Sequence, residues 1–311
     1  MSSIGFIGLG NMGAPMCHRL INAGHDVTVF DMNQAKVDEA VALGATAAAS
    51  AADCAGNVEY LLTSLPRPDH VQSVMREAGA LAALRPGSVW VDLTTNRKEL
   101  VADLAAEAGP GVGVVDSPVT GAVDGARNGR LTLFMGGDDE LQDRVEPILE
   151  KLGIVIRCGG LGSGNVVKLV TNQLWFVASA AIGEGFALGM SHGVKLEVLW
   201  SAIRQSVGDS FVAQHDAPSI FAGHYDPSFT LDLCNKDLGL IRELQKDVGT
   251  GLPMTDAARG TFERAAERYG SSEPELFVAK YLEDESGLSF RLDGDWVPPW
   301  EVTDQSKAAT R

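Results

Sequence analysis

Residues 4–13 read Ile4-Gly5-Phe6-Ile7-Gly8-Leu9-Gly10-Asn11-Met12-Gly13, a short apolar run passing into Gly-x-Gly-x-x-Gly. Each glycine has a separate physical reason. The first permits a tight strand-to-helix turn. The second lets the backbone approach a pyrophosphate, and the third lets the following helix pack closely on the strand. Free N–H groups at the helix start, with Asn11 and Met12 in the turn before it, then face the phosphates.

The surrounding sequence supports this reading. Met16, Leu20 and Ile21 form a helical apolar stripe, closed by Ala23-Gly24. Val27-Thr28-Val29-Phe30 is apolar and β-branched, as a buried parallel strand should be. Asp31 ends that strand, 18 residues after Gly13, where a ribose-binding carboxylate is expected. It would accept hydrogen bonds from the 2′-hydroxyl and repel a 2′-phosphate. Met32, Asn33 and Gln34 follow it, with no arginine. The pattern therefore favours NAD over NADP. As a helix cap before Gln34, Asp31 would have a purely structural role.

The 311 residues suggest two domains or one large one, and the apolar fraction of 45% suits a soluble α/β enzyme. The net charge of −16 would repel nucleic acid and anionic membranes. The scattered cysteines Cys17, Cys54, Cys158 and Cys234 form no Cys-x-x-Cys pair, which suggests free thiols in a reducing cytoplasm. Neither the cysteines nor the six histidines show metal-ligand spacing, so no metal is expected. The strand at Ile4 follows no basic segment, so no signal peptide is expected.

Strand and helix signals alternate through the first half. Strands are expected at 58–65, 89–92, 112–116, 131–135 and 155–157, with helices at 68–84, 98–108 and 139–152. Such alternation predicts a parallel sheet covered on both faces. After Gly164 the strand signals stop. A helix from Asn165 to about His192 is apolar nearly all round and is expected to be buried. Lys168, Asn172, Gln173 and Glu184 interrupt it, so it reads as a core helix rather than a membrane span. Further helices are expected at 195–206, 231–248, 255–269 and 274–283. The domains are read as 1–162, a dinucleotide-binding unit, and 163–311, an all-helical substrate and oligomerisation unit with a C-terminal extension. Asp295-Trp296-Val297-Pro298-Pro299-Trp300 needs a surface to pack on, and the tail from Thr303 to Arg311 reads as mobile.

Two more motifs carry chemistry. Asp116 to Gly137 reads DSPVTGAVDGARNGRLTLFMGG, a strand followed by a loop rich in Gly, Thr and Ser. It offers Ser117, Thr120 and Gly121 at the carboxyl end of the sheet, where ligands bind in open α/β folds; a wide surface loop is the plainer alternative. Gly162-Ser163-Gly164-Asn165-Val166-Val167-Lys168 opens the long helix, with Asn172 one turn beyond Lys168 on the same face. A lysine in an apolar helix is costly to bury without a role, although snorkelling to solvent is possible. It would face a crevice between the domains.

The glycine turn, the DSPVTGAVDGARNGRLTLFMGG stretch, GSGNVVKLVTN and Asn235-Lys236-Asp237-Leu238-Gly239-Leu240 together resemble the β-hydroxyacid dehydrogenase family, from Ile4 to about Tyr269. The group includes 3-hydroxyisobutyrate dehydrogenases and tartronate semialdehyde reductases. The resemblance implies a Rossmann-type, doubly wound α/β domain followed by an all-α domain. It implies reversible NAD-dependent hydride transfer between a small 3-hydroxy acid and its semialdehyde, in a homodimer or homotetramer. Lys168 matches the catalytic lysine, which desolvation would bring toward a working pKa. Asn172 matches a substrate contact, and Thr120 and Gly121 match the first residues of a substrate-binding Ser-Gly-Gly. Leu65, Pro66 and Thr95 match cofactor contacts, and Lys236 a lysine reaching the cofactor side. From the residues alone, Lys236-Asp237 would be a surface ion pair.

The chain departs from the pattern at Ala122, whose extra methyl is expected to reshape the substrate pocket, and at Asn96, His70 and Arg130. An imine reductase of the same fold is a second reading, against which Lys168 argues. A catalytically inactive nucleotide-binding scaffold is a third, against which Lys168, Asn172 and Thr120 argue together.

Overall fold

A computed structural model describes residues 1–298 and Glu301. Met1–Lys168 form one compact unit, and the described residues from Leu169 onward form another.

The first unit begins with β1 (Ser3–Ile7), α1 (Gly13–Asn22), β2 (Asp26–Phe30), α2 (Gln34–Ala42), β3 (Thr46–Ala47), α3 (Ala51–Ala55) and β4 (Tyr60–Thr63). It continues through α4 (Pro68–Gln72), a π-helical turn (Ser73–Glu77), α5 (Ala80–Ala83), β5 (Val89–Asp92), α6 (Lys98–Glu107) and β6 (Gly113–Asp116). Next come β7 (Val119–Thr120), α7 (Ala122–Asn128), β8 (Leu131–Gly136), α8 (Asp139–Leu149) and β9 (Gly153–Gly159). The strands form one sheet in the order β3-β2-β1-β4-β5-β6-β8-β7, with β9 on β8. Pairing is parallel from β3 to β6 and between β8 and β9, and antiparallel where β8 meets β6 and β7. The order reverses between β1 and β4, and at such a switch point a crevice opens at the strands' carboxyl ends.

The alternation of side chains along the strands explains the two helical layers. Leu62, Val91 and Val115 point into a core with Phe6, Met16, Leu20 and Val29. Their neighbours Leu61, Trp90 and Val114 enter the opposite core with Val71, Met75, Leu100 and Leu104. A sheet buried on both faces needs apolar residues at successive positions, which is what these strands have.

The long helix α9 (Ser163–Ser191) leaves the first unit at Lys168. The second unit continues with α10 (Leu196–Arg204), a π-helical turn (Val212–Asp216), α11 (Ala217–Ala222), α12 (Leu231–Val248), α13 (Pro253–Tyr269) and α14 (Phe277–Ser286). Leu169, Phe176 and Ala180 pack on α12, α13 and α14 through Leu238, Ile241, Phe262 and Val278. Ile182 and Phe186 join a second cluster with Leu196, Ile220, Phe221 and Phe290. After α14 the chain folds back on its own unit. Phe290 is wholly buried, and the Trp296 ring meets those of Trp200 (5.7 Å) and Phe221 (5.6 Å). Of the Asp295–Trp300 segment, Pro299 and Trp300 lie outside the described residues, as does the Thr303–Arg311 tail.

Three expectations are corrected. The helix expected over 68–84 is three short pieces, because the π-helical turn ends at Glu77 and Gly79 takes a left-handed φ of +74°. The Gly-rich stretch between Asp116 and the strand expected at 131–135 is not all loop. It holds β7 and α7, since Val119-Thr120 pair with Leu133 and Thr132 of β8. Nor is α9 buried all round. Leu174 and Leu188 are each 66% exposed, because the neighbouring helices cover only one side of it. Among the described residues it is the one helix long and apolar enough to cross a membrane.

Candidate active site

The turn after β1 has the steric pattern that a dinucleotide requires. A Cβ on Gly8, whose φ is +97°, would lie 2.3 Å from the Ser64 carbonyl oxygen. One on Gly13 would lie 1.9 Å from the Gly8 carbonyl oxygen. Both positions exclude any side chain. Gly10 is different: a Cβ there meets no atom within 4 Å, so its backbone faces open space. Helix α1 starts at Gly13 with no side-chain cap and no acid in its first turn. Its positive end is therefore left for an anion. Asn11 and Met12 lie in this turn, Met12 half-buried against the core. These features fit a bound dinucleotide.

Asp31 sits at the tip of β2 and is tied to the same turn. One carboxylate oxygen accepts the Leu9 N–H at 2.6 Å, and the other accepts the Asn33 N–H at 2.7 Å. The cap of α2 is Asn33, whose side chain accepts the Ala35 N–H at 3.1 Å. Asp31 is thus released from capping and oriented by the glycine turn. Leu65 and Pro66 follow β4. The Leu65 N–H donates to Thr94 Oγ1 at 3.1 Å and Pro66 has no N–H, so these residues offer a ligand carbonyl oxygens and apolar surface. Thr95 is the next residue after Thr94 in the turn beyond β5.

Two buried acids end neighbouring strands. Asp92 closes β5 and Asp116 closes β6, paired in parallel register. Asp92 Oδ1 accepts from Thr63 Oγ1 (2.9 Å) and the Thr94 N–H (3.1 Å), while Oδ2 accepts from Asn96 Nδ2 (2.9 Å). Asp116 Oδ1 accepts the Gly162 N–H (2.7 Å), and Oδ2 accepts the Asn165 N–H (2.7 Å) and Nδ2 (3.0 Å). Burial raises both pKa values despite these bonds, that of Asp116 to about 6. Ser117 is wholly buried; its N–H donates to the Asp92 carbonyl at 2.7 Å, and its hydroxyl has no hydrogen-bond partner among the described residues. Thr120 and Gly121 lead into α7, Gly121 at φ +121° and Ala122 at φ +57°. A left-handed alanine costs on the order of 1 kcal/mol. Lys168 stands in the second turn of α9, only 8% exposed.

In the second unit, Asn172 donates from Nδ2 to Asp237 Oδ2 at 2.7 Å, and Lys236 Nζ is 2.7 Å from Asp237 Oδ1. All three side chains are almost completely covered. Lys236-Asp237 is therefore a buried pair, not the surface pair the residues alone suggested. Asn172 follows Lys168 by four residues on one continuous helix, so the two share a face.

Sequence reasoning missed the strand-end network of Asp92, Asn96, Asp116 and Asn165, and the partnership of Asn172 with Asp237. A signal for the first was present: Val89-Trp90-Val91-Asp92 and Gly113-Val114-Val115-Asp116 are two apolar strands that each end in aspartate. No local pattern announces the second, because its partners lie 65 residues apart.

Residues 3–160 match the family model of the NAD-binding domain of 6-phosphogluconate dehydrogenase, and residues 162–282 that of the NAD-binding region of NADP-dependent 3-hydroxyisobutyrate dehydrogenase. The chain is 33% identical over 296 residues to the NAD-dependent L-serine dehydrogenase of Pseudomonas aeruginosa, covering 91% of this chain and 98% of that protein. It is 35% identical over 292 residues to the 2-(hydroxymethyl)glutarate dehydrogenase of Eubacterium barkeri, covering 92% and 96%. The solved structure of Mycobacterium tuberculosis 3-hydroxyisobutyrate dehydrogenase with L-serine superposes with a TM-score of 0.83 at 30% identity, covering 91% of this chain and 99% of that one. Nearly the whole length matches in order, and the chain belongs to the β-hydroxyacid dehydrogenase family of NAD(P)-dependent oxidoreductases.

Proposed function

We propose that Lys168 is the general acid/base of a dehydrogenase acting on 3-hydroxypropanoates that carry a substituent at C2. The observation that carries the assignment is an almost completely buried amine early in an apolar helix, in the same unit as the glycine turn. L-Serine, 2-(hydroxymethyl)glutarate and 3-hydroxyisobutyrate, named for similar proteins, all contain a primary alcohol two carbons from a carboxylate and differ at C2. That shared unit defines the substrate class proposed for this chain.

Bound NAD supplies the hydride acceptor, and the reduced form supplies the donor. Oxidation of the alcohol also releases a proton, and the neutral Lys168 amine accepts it; in reduction the ammonium returns it. Its charge then stabilises the developing alkoxide. Thr120, Gly121 and Ser117 are proposed to hold the substrate carboxylate; Asn172 is proposed as a further substrate contact from the resemblance alone. Gly8, Gly10, Asn11, Met12 and Gly13 would hold the pyrophosphate, Asp31 the ribose, and Leu65, Pro66 and Thr95 the remaining cofactor surface. Lys236 is proposed for the cofactor from the resemblance alone.

We also infer a homo-oligomer in the cytoplasm. The exposed Val170, Leu174 and Leu188 of α9 and the four free cysteines support that reading.

The test is Lys168→Ala assayed by reduced-nicotinamide absorbance across a panel of C2-substituted 3-hydroxypropanoates. Turnover should fall by about 1,000-fold or more while NADH still binds. Near-normal turnover in that variant sinks the assignment.

A further inference from the structure

We propose that Asn96 is a positioning residue, which fixes the first turn of α9 and so the place of the Lys168 amine by linking Asp92 to Asn165. The inference rests on the role proposed above for Lys168.

Asn96 is wholly buried, and its hydrogen-bonding groups point in different directions. Nδ2 donates to Asp92 Oδ2 at 2.9 Å, and Oδ1 accepts the Arg97 N–H at 2.8 Å. Its peptide N–H donates to Asn165 Oδ1 at 2.6 Å. That last bond orients the Asn165 amide. With Oδ1 facing a donor, Nδ2 turns to Asp116. Asn165 is the third residue of α9, and its own N–H also donates to Asp116. One acid at the end of β5 is thereby connected through two asparagines to the acid at the end of β6, with the helix start held between them.

There is little slack in this arrangement. A Cβ on Gly164 would lie 2.1 Å from the Phe134 carbonyl oxygen and 2.9 Å from Asp116 Oδ2. The first turn of α9 therefore rests directly on β8 and on the Asp116 carboxylate. Lys168 follows Asn165 by three residues, on the same side of the helix. A shift at Asn165 is carried to the Lys168 backbone within one turn, and a misplacement of about 1 Å at a reacting group costs roughly 100-fold in rate. An apolar residue at position 96 would lose the bond to Asp92 and leave a buried carboxylate oxygen without its amide donor. The hydrogen bond from the peptide N–H to Asn165 would then depend on a turn no longer anchored at Asp92.

The experiment uses Asn96→Leu, with Asn96→Ser as a second, smaller variant should the first be insoluble. Each is combined with Asn165→Leu and compared with the wild-type chain. The first readout is the acetylation rate of Lys168 by acetic anhydride, followed by peptide mass spectrometry, with buried Lys236 of the other unit as the internal control. A rise of about fivefold or more at Lys168, with Lys236 unchanged, is expected. The second readout is turnover on the best substrate of the panel. In that assay kcat should fall about tenfold or more while the NADH dissociation constant stays within about twofold. The double variant should lose no more than Asn165→Leu alone, since both act through one link. Unchanged Lys168 labelling, equal rises at both lysines, or additive losses in the double variant would overturn the proposal. Persisting turnover in Lys168→Ala would overturn the acid/base role instead, and the labelling would still report whether Asn96 holds the amine.

Discussion

Asp31 reaches back 22 residues to accept the Leu9 N–H at 2.6 Å, so the acid at the tip of β2 and the glycine turn after β1 form one rigid edge. A carboxylate aimed in this way is set for a ribose hydroxyl before any ligand arrives, which lowers the ordering cost of binding. Asp31→Ser should raise the NADH dissociation constant about tenfold or more, from the loss of a charged hydrogen-bond acceptor. It should weaken NADPH binding less, because the repulsion of a 2′-phosphate goes with the charge. Parallel fluorescence titrations with the two reduced cofactors check this. Equal losses for both would remove Asp31 from cofactor choice.

The glycines at positions 10 and 13 should respond in opposite ways to an added methyl group. Gly13→Ala places a Cβ against the Gly8 backbone, which cannot move without opening the turn. A stability loss of about 3 kcal/mol or more is expected in urea unfolding. Gly10→Ala meets no protein atom, so the fold should lose under about 1 kcal/mol. NADH affinity should nevertheless fall, because the methyl occupies the space left for the pyrophosphate.

Asp237 is the shared partner of Asn172 and Lys236. Removing a buried carboxylate leaves both without it. Asp237→Ala should destabilise the protein by about 3–5 kcal/mol, since it breaks a buried ion pair and a buried hydrogen bond at once. Asp237→Asn retains an acceptor oxygen and should recover part of the loss. Chemical denaturation of the two variants separates the charge from the hydrogen bond.

The titration of Asp116 gives a stability slope of unusual sign. Its pKa is about 6 in the folded chain, above its ordinary value of 3.8, because burial outweighs its hydrogen bonds. The folded state therefore holds the proton more tightly than the unfolded state. The associated stability is present below the unfolded pKa and is lost as pH rises through the folded one. Measured against Asp116→Asn, the wild-type chain should lose about 2 kcal/mol of relative stability between pH 4 and about 6.5, then level off. A relative stability that rises with pH across that window would contradict the assignment.

The parts of the fold that were legible in the sequence are those fixed by local patterning. The glycine turn, the buried strands ending at Phe30, Asp92 and Asp116, and the start and stop of α12 each follow from a few neighbouring residues. Local strain was harder to read. Nothing in Pro68–Leu84 marks a π-helical turn, and Ala122 carries no sign of its left-handed backbone. Long-range polar links were hardest. Asn96 looked like an odd residue in a turn, because its partner Asn165 is 69 positions away and exists only once the strands are aligned. The exposed side of α9 escaped notice for a related reason: an all-round apolar helix records what it tolerates, not how many neighbours the chain supplies.

The stretch beyond α14 matters to anyone who trims or tags this chain. The second family match stops at residue 282, yet Glu283 accepts from Tyr225 at 2.5 Å, from the Phe290 N–H at 2.8 Å and from Arg291 at 3.1 Å. Recombinant forms cut at that apparent end would strip the cover from Phe186 and Phe221 and give sticky, poorly soluble material. Expression boundaries belong after Trp296, and an affinity handle is better appended there than substituted for what precedes it.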